Sequence, residues 1–393
     1  MNQENIDSVH EETAGQRTAE DSSGYEESFR RRKAYNRRKI WLGLANFFVG
    51  LAFLIVLVAS PLSRFFADRA ADIWGHPYGS LLFFALFVGI AESVITFPIS
   101  FYTGFFLEHK YDLTDQSLGS YFWEKGKGML VGAAIGIPIL LLFYYFLRTY
   151  GNGWWLPTAV LMFVVTVVLS RIAPKIIMPL FYDFDPIDRK DLKTRIKGLA
   201  DQVGLSIEGI FQFNLSKETK KANAAFTGIG KAKRVIVGDT LLENFTDDEI
   251  LSVIAHELGH YTKKHLWKLS AVGTAFTFIG LFLVSRIYAY VVSATIYEDI
   301  TSLAALPIIT LFLVVFNFVI GPVQNAISRH FERQADDFSV TLFRQPEITI
   351  QALEKLADQN LADPAPHPVV EFLFYSHPSI PNRVRRIRNR YLG

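Results

Sequence analysis

Six stretches of nearly uninterrupted apolar residues constrain the fold of this chain more than any other feature. The first runs from Trp41 to Ser60, and as a helix it would rise about 30 Å, the thickness of the hydrocarbon core of a bilayer. The other five cover residues 80–106, 128–147, 154–170, 267–290 and 303–320. The chain is therefore predicted to be a multi-pass integral membrane protein, mainly α-helical, with about six spans.

Composition supports a membrane location and limits the chemistry available. Half of the 393 residues are apolar, 34 are Phe and only 20% are charged, a combination that is rare in soluble domains. The chain has no cysteine, which excludes disulfides, a cysteine nucleophile and thiolate metal ligands. Any metal must therefore be bound by histidine and carboxylate side chains.

The segment VIAHELGHY at 253–261 carries the pattern of a zinc peptidase. His256 and His260 are four residues apart, so on a helix both imidazoles can face one Zn²⁺. Glu257 lies about 100° around the helix, beside the metal, where it can act as a base. The alternative is an accidental match on an ordinary amphipathic helix, expected roughly 1% of the time in a chain this long. The motif predicts one zinc ion per chain.

A catalytic zinc usually takes three protein ligands, so a third must come from outside the motif. Glu332, just beyond the sixth span, is the best candidate. Asp336 shares its helical face and can accept the ring N–H of a ligating histidine. A solvated charged face is the alternative interpretation of this pair. Three other carboxylates could also compete for the metal: Glu108, Asp239 and Glu371.

Other polar residues carry weaker predictions. His265 and His330 are expected at the membrane edges. His377 and Arg383 could bring an imidazole and a guanidinium to an oxyanion, although most charge clusters of this kind lie on a surface helix. Glu92, inside the second span, marks either a polar cavity or an interhelical hydrogen bond.

The distribution of charge orients the spans. Lys and Arg concentrate in segments 107–127, 171–266 and 321–393, which the positive-inside rule places in the cytoplasm together with both termini. The basic run at 30–39 is interpreted as part of this topology rather than as a nucleic-acid-binding arm, so no nucleic-acid partner is expected. The zinc motif is thus predicted to face the cytoplasm.

Five parts are predicted along the chain. They are a disordered basic tail (1–40), four spans (41–172), a zincin-like α+β unit with the HExxH motif (173–266), two further spans (267–321) and a C-terminal part with the third zinc ligand (322–393). The local patterns within the third part predict a helix over 188–204, a strand at 211–215, a hairpin of 223–226 with 234–237 around Gly228 and Gly230, and a capping box of Thr246 and Glu249.

Several motifs together resemble those of the type I CaaX prenyl proteases, which are integral-membrane zinc metallopeptidases. In the order of that family they are PLFYDFDP at 179–186, Asn223-Ala224, KRVIVGDTLL at 233–242, HELGH, Glu332 with Ala335-Asp336, and Ser376-His377-Pro378. Segment 102–118 also resembles a loop of the family. The resemblance extends from about residue 80 to residue 390.

The resemblance implies roles for individual residues. Glu332 becomes the third zinc ligand and Asp336 an orienting or proton-donating group. Asn223-Ala224 resembles the edge strand that pairs with an extended substrate backbone. His377 and Arg383 match the pair that lies near the scissile carbonyl.

The sequence therefore predicts a membrane-embedded zinc metalloendopeptidase whose peptide or protein substrates are membrane-associated and in part prenylated, of the CaaX type. It would lie in the inner or plasma membrane of a bacterium, or in the endoplasmic reticulum of a eukaryote. One alternative is an HtpX-like quality-control metalloprotease, although four spans before the zinc motif favour the prenyl-protease type. A second alternative is an inactive membrane scaffold with a structural zinc, against which the retained Glu257 argues.

Overall fold

The computed structural model describes residues 19–227, 233–295, 297 and 299–393. Over these residues the chain is mainly helical with one four-stranded sheet. Six of the described helical segments are long and apolar enough to cross a membrane. The predicted fold class, a polytopic helical membrane protein with a metallopeptidase unit, is confirmed.

The first helix is longer than its apolar part. Helix α1 spans Ala19–Ala59, so the prediction of a disordered tail is wrong for residues 19–40, while residues 1–18 lie outside the described residues. Its basic residues contact distant backbone: Arg31 donates to the carbonyl of Tyr111 at 2.7 Å and Arg32 to that of Ala362 at 2.9 Å. These contacts join the part of α1 before its apolar segment to distant parts of the chain, and their partners could not be identified from local sequence.

The remaining elements before the sheet complete the first four spans. In chain order they are α2 (Leu62–Ile73), α3 (Pro77–Phe101), a π-helical turn (Tyr102–Phe106), α4 (Leu107–Lys110), α5 (Leu118–Tyr150) and α6 (Trp155–Ile172). Each apolar stretch predicted in this part lies within one of the candidate spans or extends past it by a residue at most.

A small sheet forms the α+β unit that follows. Its strands are β1 (Phe184–Pro186), β2 (Gly209–Phe213), β3 (Ala224–Thr227) and β4 (Arg234–Gly238), in the order β1-β2-β4-β3. Strands β3 and β4 pair in an antiparallel register, as predicted, whereas β2 and β4 are parallel. The predicted turn with Gly228 and Gly230 lies outside the described residues. Strand β3 is left at the edge of the sheet.

Three helices belong to the same unit as this sheet. Helix α7 (Lys190–Gln202) lies between β1 and β2 in the chain and agrees with the predicted helix to within two residues at each end. The short α8 (Asp239–Asn244) follows β4 and leads to α9 (Asp247–Thr262). The core between sheet and helices contains Leu192, Ile196, Val235, Val237, Ile250 and Ile254, all at most 1% exposed.

The zinc-motif helix begins as the sequence predicts. The Thr246 hydroxyl accepts from the backbone N–H of Glu249, and the Glu249 carboxylate accepts from the backbone N–H of Thr246 at 2.8 Å. This reciprocal cap satisfies two otherwise unpaired N–H groups and sets the first residue of α9.

The last part of the chain returns to the sheet unit after two spans. It contains α10 (His265–Ser293), α11 (Leu306–Phe343), α12 (Pro346–Gln359), α13 (Pro368–Phe374) and α14 (Ile380–Tyr391). Val384 and Ile387 of α14 pack on Val340 of α11 and on Ile350 and Leu353 of α12. This packing fixes the face of α14 that Arg383 shares.

Candidate metal centre and active site

Three potential metal ligands converge from two helices. The Nε2 atoms of His256 and His260, on α9, are 3.1 Å apart. The carboxylate of Glu332, on α11, has one oxygen 3.2 Å from His260 Nε2 and the other 3.4 Å from His256 Nε2. The ligand atoms all lie within 4.8 Å of one another. The sequence-predicted residues are thus brought together.

The donor set fits a zinc ion. Atoms bound about 2.0–2.1 Å from a tetrahedral zinc lie roughly 3.3 Å from one another, close to the spacing observed. Glu332 is only 3% exposed, and its Oε2 atom has no hydrogen-bond partner among the described residues. A buried carboxylate oxygen left in this way is costly unless a cation or donor meets it.

A close helix contact sets the distance between the two halves of the site. A Cβ atom added to Gly259 of α9 would lie 3.1 Å from the Cα and 3.2 Å from the carbonyl oxygen of Ala335 on α11. Only glycine therefore lets the helices approach to this separation without a shift of backbone. Gly259 precedes His260, and Ala335 lies between Glu332 and Asp336 in the chain.

Asp336 contacts His256 at Nδ1, the ring nitrogen that faces away from the metal site. Its Oδ1 lies 3.1 Å from Nδ1 of His256, and Arg383 donates to the same carboxylate through Nε at 3.0 Å and Nη2 at 2.5 Å. Burial lowers the pKa of His256, but hydrogen bonds to Asp336 and Glu332 outweigh this effect and raise it to about 9. The surroundings of this imidazole therefore favour positive charge.

The two residues predicted near the oxyanion take different positions. Nε2 of His377 lies 3.2 Å from Glu332 Oε1, and its side chain is 62% exposed, so it borders the metal site from the open side. Nη2 of Arg383 lies 3.3 Å from Nδ1 of His256, on the side of the ring away from the metal site. The structure brings His377 to the site and places Arg383 behind it.

Glu257 adjoins the ligands on a half-buried part of α9. Burial raises the pKa of its carboxyl, and the neighbouring His256 and His260 oppose that rise. A carboxylate with a raised pKa beside a metal is suited to accept and return a proton.

The predicted substrate-binding pair lies at the sheet edge. Ala224 is the first residue of β3, and the carbonyl of Asn223 accepts from the N–H of Gly238 at 2.9 Å. Phe226 of β3 contacts Tyr261 of α9 with ring centroids 4.8 Å apart. The edge strand therefore runs beside the end of α9 that carries His260.

The three carboxylates considered as alternatives to Glu332 have hydrogen-bond partners outside the metal site. Glu108 accepts from Lys221 at 2.6 Å and from the hydroxyl of Tyr35 at 2.6 Å. Asp239 accepts from the backbone N–H of Ser216 at 2.9 Å, and Glu371 accepts from Asn382 at 2.9 Å. Glu92 is exposed on α3, away from the metal ligands.

His265 is the first residue of a candidate membrane span, in agreement with its predicted position at a membrane edge, and it also adjoins the metal site. It is 0% exposed and its Nδ1 lies 3.2 Å from Nδ1 of His260. The physical reason is a break between α9 and α10 that turns its side chain inward. The local sequence does not predict this contact, because residues five positions apart on a regular helix point in different directions.

Two family models together match nearly the whole chain. Residues 186–391 match the description "Peptidase family M48", and residues 18–183 match "CAAX prenyl protease N-terminal, five membrane helices". The crystal structure of S. mikatae Ste24p superposes with a TM-score of 0.83 at 26% identity, covering 92% of this chain and 89% of that one.

Two curated relatives illustrate the range of the family. The uncharacterized metalloprotease YhfN of Bacillus subtilis is 31% identical over 77% of this chain and 72% of its own length. CAAX prenyl protease 1 of Saccharomyces cerevisiae is 28% identical over 91% of this chain and 85% of its own length. With six candidate membrane spans among its described residues and family matches over both its parts, the chain belongs to peptidase family M48 and is a multi-pass membrane metalloprotease.

Proposed function

We propose that this protein is a zinc metalloendopeptidase that cleaves prenylated, CaaX-type substrates at the membrane. The observation that carries the proposal is the convergence of His256, His260 and Glu332 beside Glu257 within a helical membrane bundle. The CAAX prenyl protease name of the yeast relative supports the substrate class.

The chemistry can be divided between the metal and the protein. A bound zinc would polarise the scissile carbonyl and lower the pKa of water to near neutrality. Glu257 takes the proton of the attacking water and delivers it to the leaving amine. His377, on the open side of the site, donates to the oxyanion of the tetrahedral intermediate.

The residues behind the site hold it in place. Asp336 accepts from Nδ1 of His256 and keeps its Nε2 directed at the metal, as a partner of a ligating histidine commonly does. We assign Arg383 to the same task, because its guanidinium is bonded to Asp336 and approaches His256 only at Nδ1, on the side of the ring away from the metal site.

Substrate would bind in extended form along β3. The backbone after Asn223-Ala224 lies at the sheet edge, where a peptide can add as a further strand. Helix α10 enters its apolar segment soon after the last residue of α9, so the scissile bond would lie near the bilayer surface. A lipid-anchored peptide reaches such a position. The cytoplasmic side is favoured by the Lys and Arg content of this part of the chain.

Cleavage of a farnesylated CaaX peptide, compared with the same peptide without its lipid, tests this proposal. The reconstituted protein should cleave the farnesylated peptide faster, and Glu257→Gln protein that retains its zinc should lose activity by a factor of at least about 100. Equal rates on both peptides would favour a quality-control protease. No hydrolysis by zinc-loaded wild-type protein would favour an inactive scaffold.

A further inference from the structure

A row of polar side chains continues from the metal site toward the surface on the side of His260. His265 Nε2 lies 3.2 Å from Oε1 of Gln334, and Nε2 of Gln334 lies 2.8 Å from Nε2 of His330. With the contact of His265 to His260, the row joins α9, the first residue of α10 and α11. Its inner members are buried or partly buried, and His330 at its outer end is exposed.

A break in the backbone produces this row. Residues five apart on a continuous helix lie about 140° apart, so the side chains of His260 and His265 would diverge. Lys264 instead adopts a left-handed conformation with φ of 57° and ψ of 37°. A lysine in this region is uncommon and costs energy that its surroundings must offset. The result of the turn is that His265 stacks on Phe331 with ring centroids 4.7 Å apart and meets His260.

Donor and acceptor roles can be assigned to every contact in the row when His260 binds a metal. A neutral imidazole that ligates through Nε2 carries its proton on Nδ1. His260 Nδ1 then donates to Nδ1 of His265, which must carry its own proton on Nε2. That proton is donated to Oε1 of Gln334, whose amide nitrogen donates to His330 Nε2. Each contact thus pairs one donor with one acceptor.

We propose that His265 is a positioning residue that selects the metal-binding form of His260, with Gln334 fixing His265 in turn. This inference rests on the proposed metal site. The two ligating histidines would then be supported differently, His256 by the Asp336 carboxylate and His260 by a neutral imidazole. The neutral partner adds no further negative charge to a site that already contains the carboxylates of Glu332 and Asp336.

The test is a competition between a chelator and the full-length, detergent-purified protein for zinc, made with matched variants. His265→Leu keeps the volume but removes both hydrogen bonds, and we expect zinc affinity to fall about 10- to 100-fold. His265→Asn places an oxygen where Nδ1 was, so it should lose at most about threefold. His330→Leu, the same kind of change at the exposed end, should stay within about twofold of wild type.

A second measurement separates positioning from a general loss of folding. The metal-free forms of wild-type, His265→Leu and His265→Asn protein should unfold at closely similar temperatures, while only the Leu variant loses zinc affinity. If the Leu variant does not fold, Gln334→Leu breaks the next contact and should still lower affinity about threefold or more.

The outcomes distinguish this inference from the proposed function. Wild-type affinity in His265→Leu, or an equal loss in the Leu and Asn variants, would overturn the role of His265 while leaving the metal site intact. Zinc binding by wild-type protein no tighter than by Glu332→Gln protein would instead refute the proposed metal site.

Discussion

The two spans that adjoin the metal site differ from the four that precede them. In the most apolar part of α10 and of α11, 33% of the residues are buried, against 17, 17, 11 and 0% in the four earlier spans. Helices α10 and α11 pack on each other and share a buried core with the earlier helices, and all six spans also present large apolar side chains outward. The last two spans, which adjoin the site, are therefore packed more deeply within the protein than the first four.

The largest expected difference between these regions concerns their carboxylates. Glu332→Gln on α11 removes a proposed metal ligand and should lower zinc affinity by at least about 100-fold, more than the loss of a supporting partner. Glu92→Gln on α3 removes an exposed carboxylate and should leave affinity unchanged. Zinc content after dialysis against a weak chelator measures both. Equal zinc content in the Glu332→Gln and Glu92→Gln proteins would show that the two regions do not differ in metal binding.

A smaller difference is expected between glycines. Gly259→Ala forces a methyl group against the backbone of Ala335, and overpacking of this kind costs about 1–3 kcal/mol. Gly132→Ala on α5, where nothing lies within 4 Å, should be neutral or slightly stabilising. Thermal unfolding in detergent gives the order of stability, and zinc affinity should fall in the first variant alone. A stable Gly259→Ala protein with normal zinc affinity would show that the helix separation is not critical.

Buried and exposed tyrosines provide a finer comparison. Tyr288 of α10 is 0% exposed and its hydroxyl donates to the carbonyl of Ile300 at 2.7 Å. Tyr288→Phe should cost about 1 kcal/mol, since the carbonyl loses its donor. Tyr145→Phe on α5, where the residue is 47% exposed, should have no measurable effect on the unfolding temperature. Equal shifts would indicate that the earlier spans are packed as tightly as α10.

The smallest effect is expected outside the membrane, at the start of α9. Burial alone would raise the pKa of Glu249, but the Thr246 backbone and Lys355 lower it overall. Its contribution to stability is therefore complete above its unfolded pKa and is lost as the pH falls through the lower, folded pKa. Glu249→Gln keeps the cap but loses the 3.0 Å ion pair with Lys355, which should cost about 0.5 kcal/mol at neutral pH. In acid the difference from wild type should disappear, as unfolding curves at several pH values can show.

Local patterns predicted much of this fold. Apolar length predicted the six spans, because a bilayer demands a fixed helix length. The i, i+4 spacing of His256 and His260 and the capping box of Thr246 predicted the zinc-motif helix for equally local reasons. The third ligand was different, because Glu332 lies 76 positions and two spans after His256. Its position and its spacing to Asp336 made it the best candidate but left Glu108, Asp239 and Glu371 open, and the family resemblance then favoured it.

Other features depended on contacts that no local pattern records. The N-terminal helix continues past the apolar segment because distant carbonyl groups accept from Arg31 and Arg32. The side chain of His265 is turned inward by the left-handed Lys264. Arg383 was predicted at the oxyanion, yet its position depends on how α14 packs on α11 and α12. Such features require the tertiary structure.

The central claim is that one metal ion is held jointly by α9, which precedes the two packed spans, and by the C-terminal part of α11, the second of them. X-ray absorption spectroscopy of the zinc in purified wild-type and Glu332→Gln protein tests it most directly. The account predicts one zinc per chain with two imidazoles and one carboxylate at about 2.0–2.2 Å, and loss of that carboxylate in the variant. A zinc with three or more imidazoles, or an unchanged spectrum in Glu332→Gln protein, would contradict it.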